Sequence, residues 1–187
     1  MHELEPFPNW MHIYDAAEDE RSPFFGADPN IFEYSKTVYN YYIHPLWEDF
    51  GSRTLYLKVL FVDYDQECTI IEFIGEWNDA VENDVMELKR SVIEPMMKNG
   101  INKFILIVEN VLNFHSSDDS YYEEWQEDIS ESGGWIVFLG MPAHNQEEFT
   151  QAGLGQFAFL LDYPNWRNHQ PMHLYQMIDN KLLRLLE

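Results

Sequence analysis

The chain is poor in cysteine, in basic residues and in long apolar runs. Cys68 is its single cysteine, so no intrachain disulfide can form, and a reducing, cytoplasmic setting is expected. No cationic neighbour stands beside Cys68 to activate its thiol, which reads as a core residue on a strand. Lysine and arginine number 11 against 33 acids, a formal net charge of −22. Nucleic-acid binding needs a basic face to neutralise phosphates, and an anionic membrane surface selects for the same feature, so neither is an expected partner. No apolar run approaches the roughly 20 residues of a membrane-spanning helix. The opening Met1 to Pro6 lacks the basic and apolar regions of a signal peptide. Glycine-rich phosphate loops are also missing, because Gly133-Gly134 follows a helical segment and precedes a strand-like one.

What the chain does have is a core. Apolar residues make up 45% of its 187 positions and aromatic residues 16%, enough for one packed domain. Residues 1–50 read as an extension packed on a domain formed by 51–187. Pro6, Pro8, Pro23 and Pro29 make its first part irregular, and Trp10, Phe24 and Phe25 need cover. Phe32 to Ile43 has strand patterning, and its Tyr-rich end, Tyr39 to Ile43, is a candidate edge or homodimer face.

The centre of the chain is Thr69 to Ser120. Thr54 to Val62 and Cys68 to Ile74 predict a β-hairpin. Gly75-Glu76-Trp77 then reads as a turn, with Asn78 capping a helix that runs to about Lys98. Val81, Val85, Leu88, Val92 and Met96 recur at helical spacing; Pro95 is expected to kink or end the helix. Lys103 to Val108, apolar on both faces, predicts a central strand. Asn113 to Asp119 forms a polar elbow, and Ser117 or Asp118 is placed to cap the next helix, whose stripe is Tyr121, Tyr122, Trp125 and Ile129. A strand at Trp135 to Leu139, a helix at Asn145 to Ala152, a strand at Gln156 to Leu161 and a helix from Pro171 follow. That last helix turns Leu174, Met177, Ile178, Leu182 and Leu185 inward. This order predicts an α/β domain with a mostly parallel sheet. Val85, Leu88, Val92, Ile105, Ile107, Trp125, Val137 and Leu174 are its expected common core.

From about residue 54 to 187 the chain resembles the STAS domains, the family of the anti-sigma factor antagonist SpoIIAA. The resemblance rests on Asn113-Phe114-His115-Ser116-Ser117-Asp118 at the strand-to-helix elbow, Ile70 to Gly75, Gly133 to Val137 and Gln146 to Leu154. It implies a mixed sheet of four to six strands with helices mainly on one face, and a non-enzymatic switching or scaffolding role. Ser116 falls on the serine that partner kinases phosphorylate, so the implied partner is a protein, either a kinase or another regulator. His115 stands where the family has aspartate and Asp118 where it has glycine, and Asp118 and Asp119 would repel a phosphate.

The regulatory residues this selects are His115, Ser116, Ser117, Asp118 and Asp119. Helix capping is the plainer role for the serines. A Ser-His-Asp relay would need geometry that adjacent residues rarely supply. Glu72, Glu76, Asp118 and Asp119 could converge as paired carboxylates. No metal or cofactor is expected. Asp63-Asp65-Glu67 lacks the glycine and distal glutamate of a calcium loop, and His169 with His173 lacks the glutamate of a zinc helix. The alternative function is a small-molecule site or enzyme pocket beneath the arm carrying Trp10, Phe24 and Phe25.

Overall fold

The computed structural model describes residues 4–186. A two-residue hairpin, β1 (Thr37–Val38) and β2 (Tyr41–Tyr42), stands apart from the main sheet. That sheet contains β3 (Leu55–Asp63), β4 (Cys68–Asn78), β5 (Lys103–His115), β6 (Trp135–Leu139) and β7 (Phe159–Leu161), in that spatial order. The β3–β4 hairpin is antiparallel and every later pairing is parallel. The helices are α1 (Asp84–Leu88), a π turn (Lys89–Ile93), α2 (Glu94–Lys98), α3 (Ser120–Ser130), α4 (Ala143–Gln151) and α5 (Pro171–Leu186).

The period-two geometry of a strand splits the apolar run of β5 between two cores. Phe104, Leu106 and Val108 face one side, where Val85 and Leu88 of α1, Val92 of the π turn, Trp125 and Ile129 of α3 and Phe149 of α4 cover them. Ile105 and Ile107 face the other, against Leu174, Ile178 and Leu182 of α5 and Phe7, Trp10 and Trp166. The sheet is thus mixed and mostly parallel with helices mainly on one face, as expected. All eight predicted core residues are buried, four on each side rather than in one cluster.

Several boundaries differ from the sequence reading. Gly75-Glu76-Trp77 is strand, not turn, because β5 continues past Val108 and pairs with it (Gly75↔Val111, Trp77↔Phe114). Gly75 has φ +117, and a Cβ there would lie 2.1 Å from the Thr54 carbonyl oxygen. The glycine therefore permits a close approach of β3 to β4 instead of ending the strand. Helix α1 begins at Asp84 rather than Asn78, which leaves Val81 72% exposed. Pro95 does not stop the helix. The preceding π turn, closed by Glu94 N–H on the Lys89 carbonyl, absorbs the ring and its missing donor. Phe32 to Ile43 forms only β1 and β2, and Phe32 is 87% exposed. Tyr39 turns through φ 53 and breaks the expected strand. Residues 154–156 are a 3₁₀ turn, so β7 is short. Leu185 lies on the exposed side of α5.

The arm is a packed element. Phe7, Trp10 and Trp166 meet edge to face at centroid distances of 4.9–5.5 Å. Further on, Ala16 is buried in the opposite core and Phe24 packs against that core, whereas Phe25 stays exposed. The space beneath the arm, between Phe7, Tyr14, Lys58 and Leu60, is about 10 Å³. That holds at most one water, so the arm leaves no ligand-sized space at that point.

Candidate functional site

The carboxyl ends of β4 and β5 lie side by side, Asn78 opposite His115, and the Asp79 N–H donates to the His115 carbonyl at 2.8 Å. Ligand and partner sites on parallel sheets favour this end, where chain segments leave a rigid base. The elbow is shorter than expected. Asn113, Phe114 and His115 belong to β5, and only 116–119 is loop. Phe114 is buried among Trp77, Phe138 and Phe149, while His115 alternates outward to solvent.

Within the loop, Ser116 is half-buried and its hydroxyl donates to Glu148 of α4 at 3.1 Å. Ser117 and Asp118 are exposed. The Asp118 carboxylate accepts the Ser120 N–H at 2.8 Å, and the Ser120 hydroxyl and N–H together lower its pKa. Asp119 occupies the N-cap position of α3 through its backbone. Neither serine caps the helix; the side chain that reaches its first N–H is Asp118. No Ser-His-Asp relay forms, since Ser116 bonds Glu148 and Asp118 bonds Ser120.

Helix α4 braces the end of β5. Buried Asn145 donates to the Val111 carbonyl at 2.8 Å, and the His144 ring bonds the Leu112 carbonyl at 2.7 Å. On the other flank Asn113 donates to the Tyr39 hydroxyl at 2.8 Å. Tyr39, Leu112 and Val81 are exposed apolar residues on the strand ends and turns beside the loop.

Beneath the elbow lies a polar centre that the sequence reading missed. The Asp79 carboxylate accepts from the Trp77 indole at 3.0 Å, the Val85 N–H at 2.8 Å and the Tyr122 hydroxyl at 2.6 Å. Asp84, fully buried, accepts the Asn78 N–H at 2.7 Å. Burial pushes both carboxyls up to about 6 and the Tyr122 hydroxyl well above its ordinary value. From sequence, Asp79 looks like an acid in the first turn of the predicted helix, and nothing local signals its burial or that of Asp84. The expected convergence of Glu72, Glu76, Asp118 and Asp119 does not occur. Glu72 accepts the Phe7 N–H on the α5 face of the sheet, Glu76 bonds Asn78, and Asp118 faces solvent. Among the described residues, no group of three or more His, Cys, Asp or Glu is placed to hold a metal ion. No helix among them is long and apolar enough to cross a membrane.

No protein-family model matches the sequence, and no curated protein matches it. Among solved structures, the chain is similar to the unphosphorylated anti-sigma factor antagonist SpoIIAA. The TM-score is 0.50 at 14% identity, over 66% of this chain and 96% of that one. The phosphorylated Bacillus cell-fate determinant SpoIIAA gives a TM-score of 0.44 at 14% identity, over 65% of this chain and 98% of that one. The chain therefore has the SpoIIAA-like fold, and the likeness at this identity is one of fold.

Proposed function

We propose that this chain is a regulatory protein-interaction module, acting by docking rather than catalysis, and that the elbow is its docking surface. In this reading 51–187 is the STAS-like domain, 1–50 is its extension, and the setting is cytoplasmic. The observation that carries it is the contrast at the elbow. Exposed His115, Ser117 and Asp118 sit on a base held by the buried Asp79 centre and by the Asn145 and His144 bonds from α4. A rigid base under an exposed loop reduces the ordering cost of binding. The fold supports the reading, since a solved chain of similar fold is an anti-sigma factor antagonist. Asp118, Asp119 and Glu148, in a chain of net charge −22, suit a partner with a basic face. Exposed Tyr39, Leu112 and Val81 supply the apolar component.

A phospho-serine switch at Ser116 is a second reading, favoured by its place just ahead of the N-terminus of α3. Phosphorylation there must break the Ser116–Glu148 bond and add charge beside Glu148 and Asp118. Constitutive docking is therefore the primary reading. A partner captured from source lysate by the wild-type chain is expected to be released by Asp118→Lys, which reverses charge at the elbow, whereas release by Ser116→Asp is the outcome expected of the switch reading. Retention of every partner by both variants overturns the proposal. Native mass spectrometry of the protein purified from its source reports phosphate on Ser116, and also any homodimer through exposed Tyr41 and Tyr42.

A further inference from the structure

On the α5 face of the sheet, a row of charges runs beneath the arm. Glu48 pairs with Lys58 at 2.7 Å, and Lys58 stands opposite Glu72 in the β3–β4 register. Glu72 meets Arg167 at 3.5 Å, and Arg167 pairs with Glu109. Glu48, Lys58 and Glu72 are buried. The arm closes over them. The Phe7 N–H donates to Glu72 at 2.8 Å, the Trp10 indole donates to the His169 carbonyl at 3.0 Å, and Trp47 donates to the Leu4 carbonyl at 2.8 Å.

Three carboxylates alternate with two bases, so the closed row carries one negative charge in excess unless it binds a proton. Buried charge without a partner is costly, and protonation is the ordinary relief. We infer that residues 4–13 are a proton-linked latch, with Glu72 taking up a proton when the arm closes and releasing it when the arm lifts. This goes beyond the docking role of the elbow and does not depend on it.

Glu72 is the group best placed to titrate. It is 1% exposed. Burial is the largest influence and raises its carboxyl from 4.5 to about 7; the Phe7 N–H and Arg167 oppose that rise and Glu109 adds to it. Outside the row, Asp15 on the arm and Lys36 ahead of β1 face its Glu48–Lys58 end, and within it Glu48, also raised by burial, is held by its bond from Lys58. Two histidines also touch the arm. His44 lies 3.6 Å from Glu5, and His169 accepts from Trp10 through its carbonyl. Lifting residues 4–13 gives Glu72 water and returns its carboxyl toward the ordinary value. A carboxyl raised in the closed state favours closure fully below 4.5, and that advantage is lost as pH rises through about 7. With these two values, opening increases about tenfold between pH 6 and pH 8 by linkage.

The test is hydrogen exchange of the full chain, followed by mass spectrometry on peptides covering residues 4–14 and corrected for the intrinsic pH dependence of exchange. Wild type is expected to lose protection there about tenfold from pH 6 to pH 8. Glu72→Gln keeps the shape and an acceptor for Phe7 but cannot ionise, so its protection should be flat over that range. Arg167→Met removes a cation that favours ionised Glu72, so its midpoint should move to higher pH. A flat wild-type profile overturns the latch, and so does a Glu72→Gln variant that retains the wild-type slope, which would assign the titration to another group. Should Glu72→Gln fail to fold, an unmoved midpoint in Arg167→Met overturns it equally.

Discussion

The polar centre under the elbow yields a prediction whose size depends on pH. Asp79→Asn keeps the shape of the carboxylate and can keep its bonds from Trp77 and Val85, but it loses the acceptor for Tyr122, which is fully buried. A buried hydroxyl left without an acceptor costs about 1–3 kcal/mol. The wild-type carboxyl carries an opposite liability, because burial raises it from 3.8 to about 6. Its contribution to stability is fully present below 3.8 and is lost as pH rises through about 6. Between pH 4.5 and 7.5 that loss integrates to about 2 kcal/mol, at ~1.4 kcal/mol for each pH unit spent between the two values. The asparagine variant does not titrate at this position. Its deficit relative to wild type should therefore be greatest in acid and shrink by about 2 kcal/mol at pH 7.5. Neighbouring Asp84, raised for the same reason, titrates in both proteins and partly cancels in the difference. Urea unfolding followed by circular dichroism at the two pH values measures this. A deficit that stays constant or grows with pH refutes the assignment of Asp79 as a carboxylate disfavoured by burial. Tyr122→Phe removes the donor instead and should cost about 1.5–3 kcal/mol at pH 7.5, the usual range for a bond to a charged group.

Two packing predictions accompany it. Trp125 is fully buried against Phe104, with ring centroids 5.1 Å apart, and its indole N–H has no partner. Trp125→Ala should cost about 3–5 kcal/mol in urea unfolding, whereas Trp125→Phe should stay within about 1 kcal/mol because it also removes an unsatisfied donor. Equal losses in the two variants would contradict this. Gly75→Ala should cost roughly 2–4 kcal/mol from positive-φ strain and collision with the Thr54 carbonyl. An unchanged unfolding midpoint would show that β3 and β4 can separate at that point.

Much of the architecture could be read from local pattern. Phe104 to Val108 is apolar on both parities, and such a run is stable only with cover on both sides of a sheet. The burial of Val85, Leu88 and Val92 followed from their spacing alone. So did the antiparallel β3–β4 hairpin, flagged by polar residues between two β-rich runs. The elbow was visible as a polar interruption after a buried strand, although the strand runs on through Phe114 to His115.

What local pattern could not supply was the fate of individual charges and of segments without periodicity. Glu72 and Asp79 are acids in both sequence and structure, but whether an acid meets water depends on which distant segment lies over it. For Glu72 that segment is the arm, 65 positions away, and for Asp79 it is Tyr122, 43 positions away. Ser116 reads as a helix cap until α4 brings Glu148 to it from 32 positions away. Periodicity reports which face of an element is apolar, a property of neighbouring residues along the chain. Burial of a polar group, the bond that satisfies it and the shift in its pKa are properties of neighbours in space, and for these residues only the tertiary structure decided them.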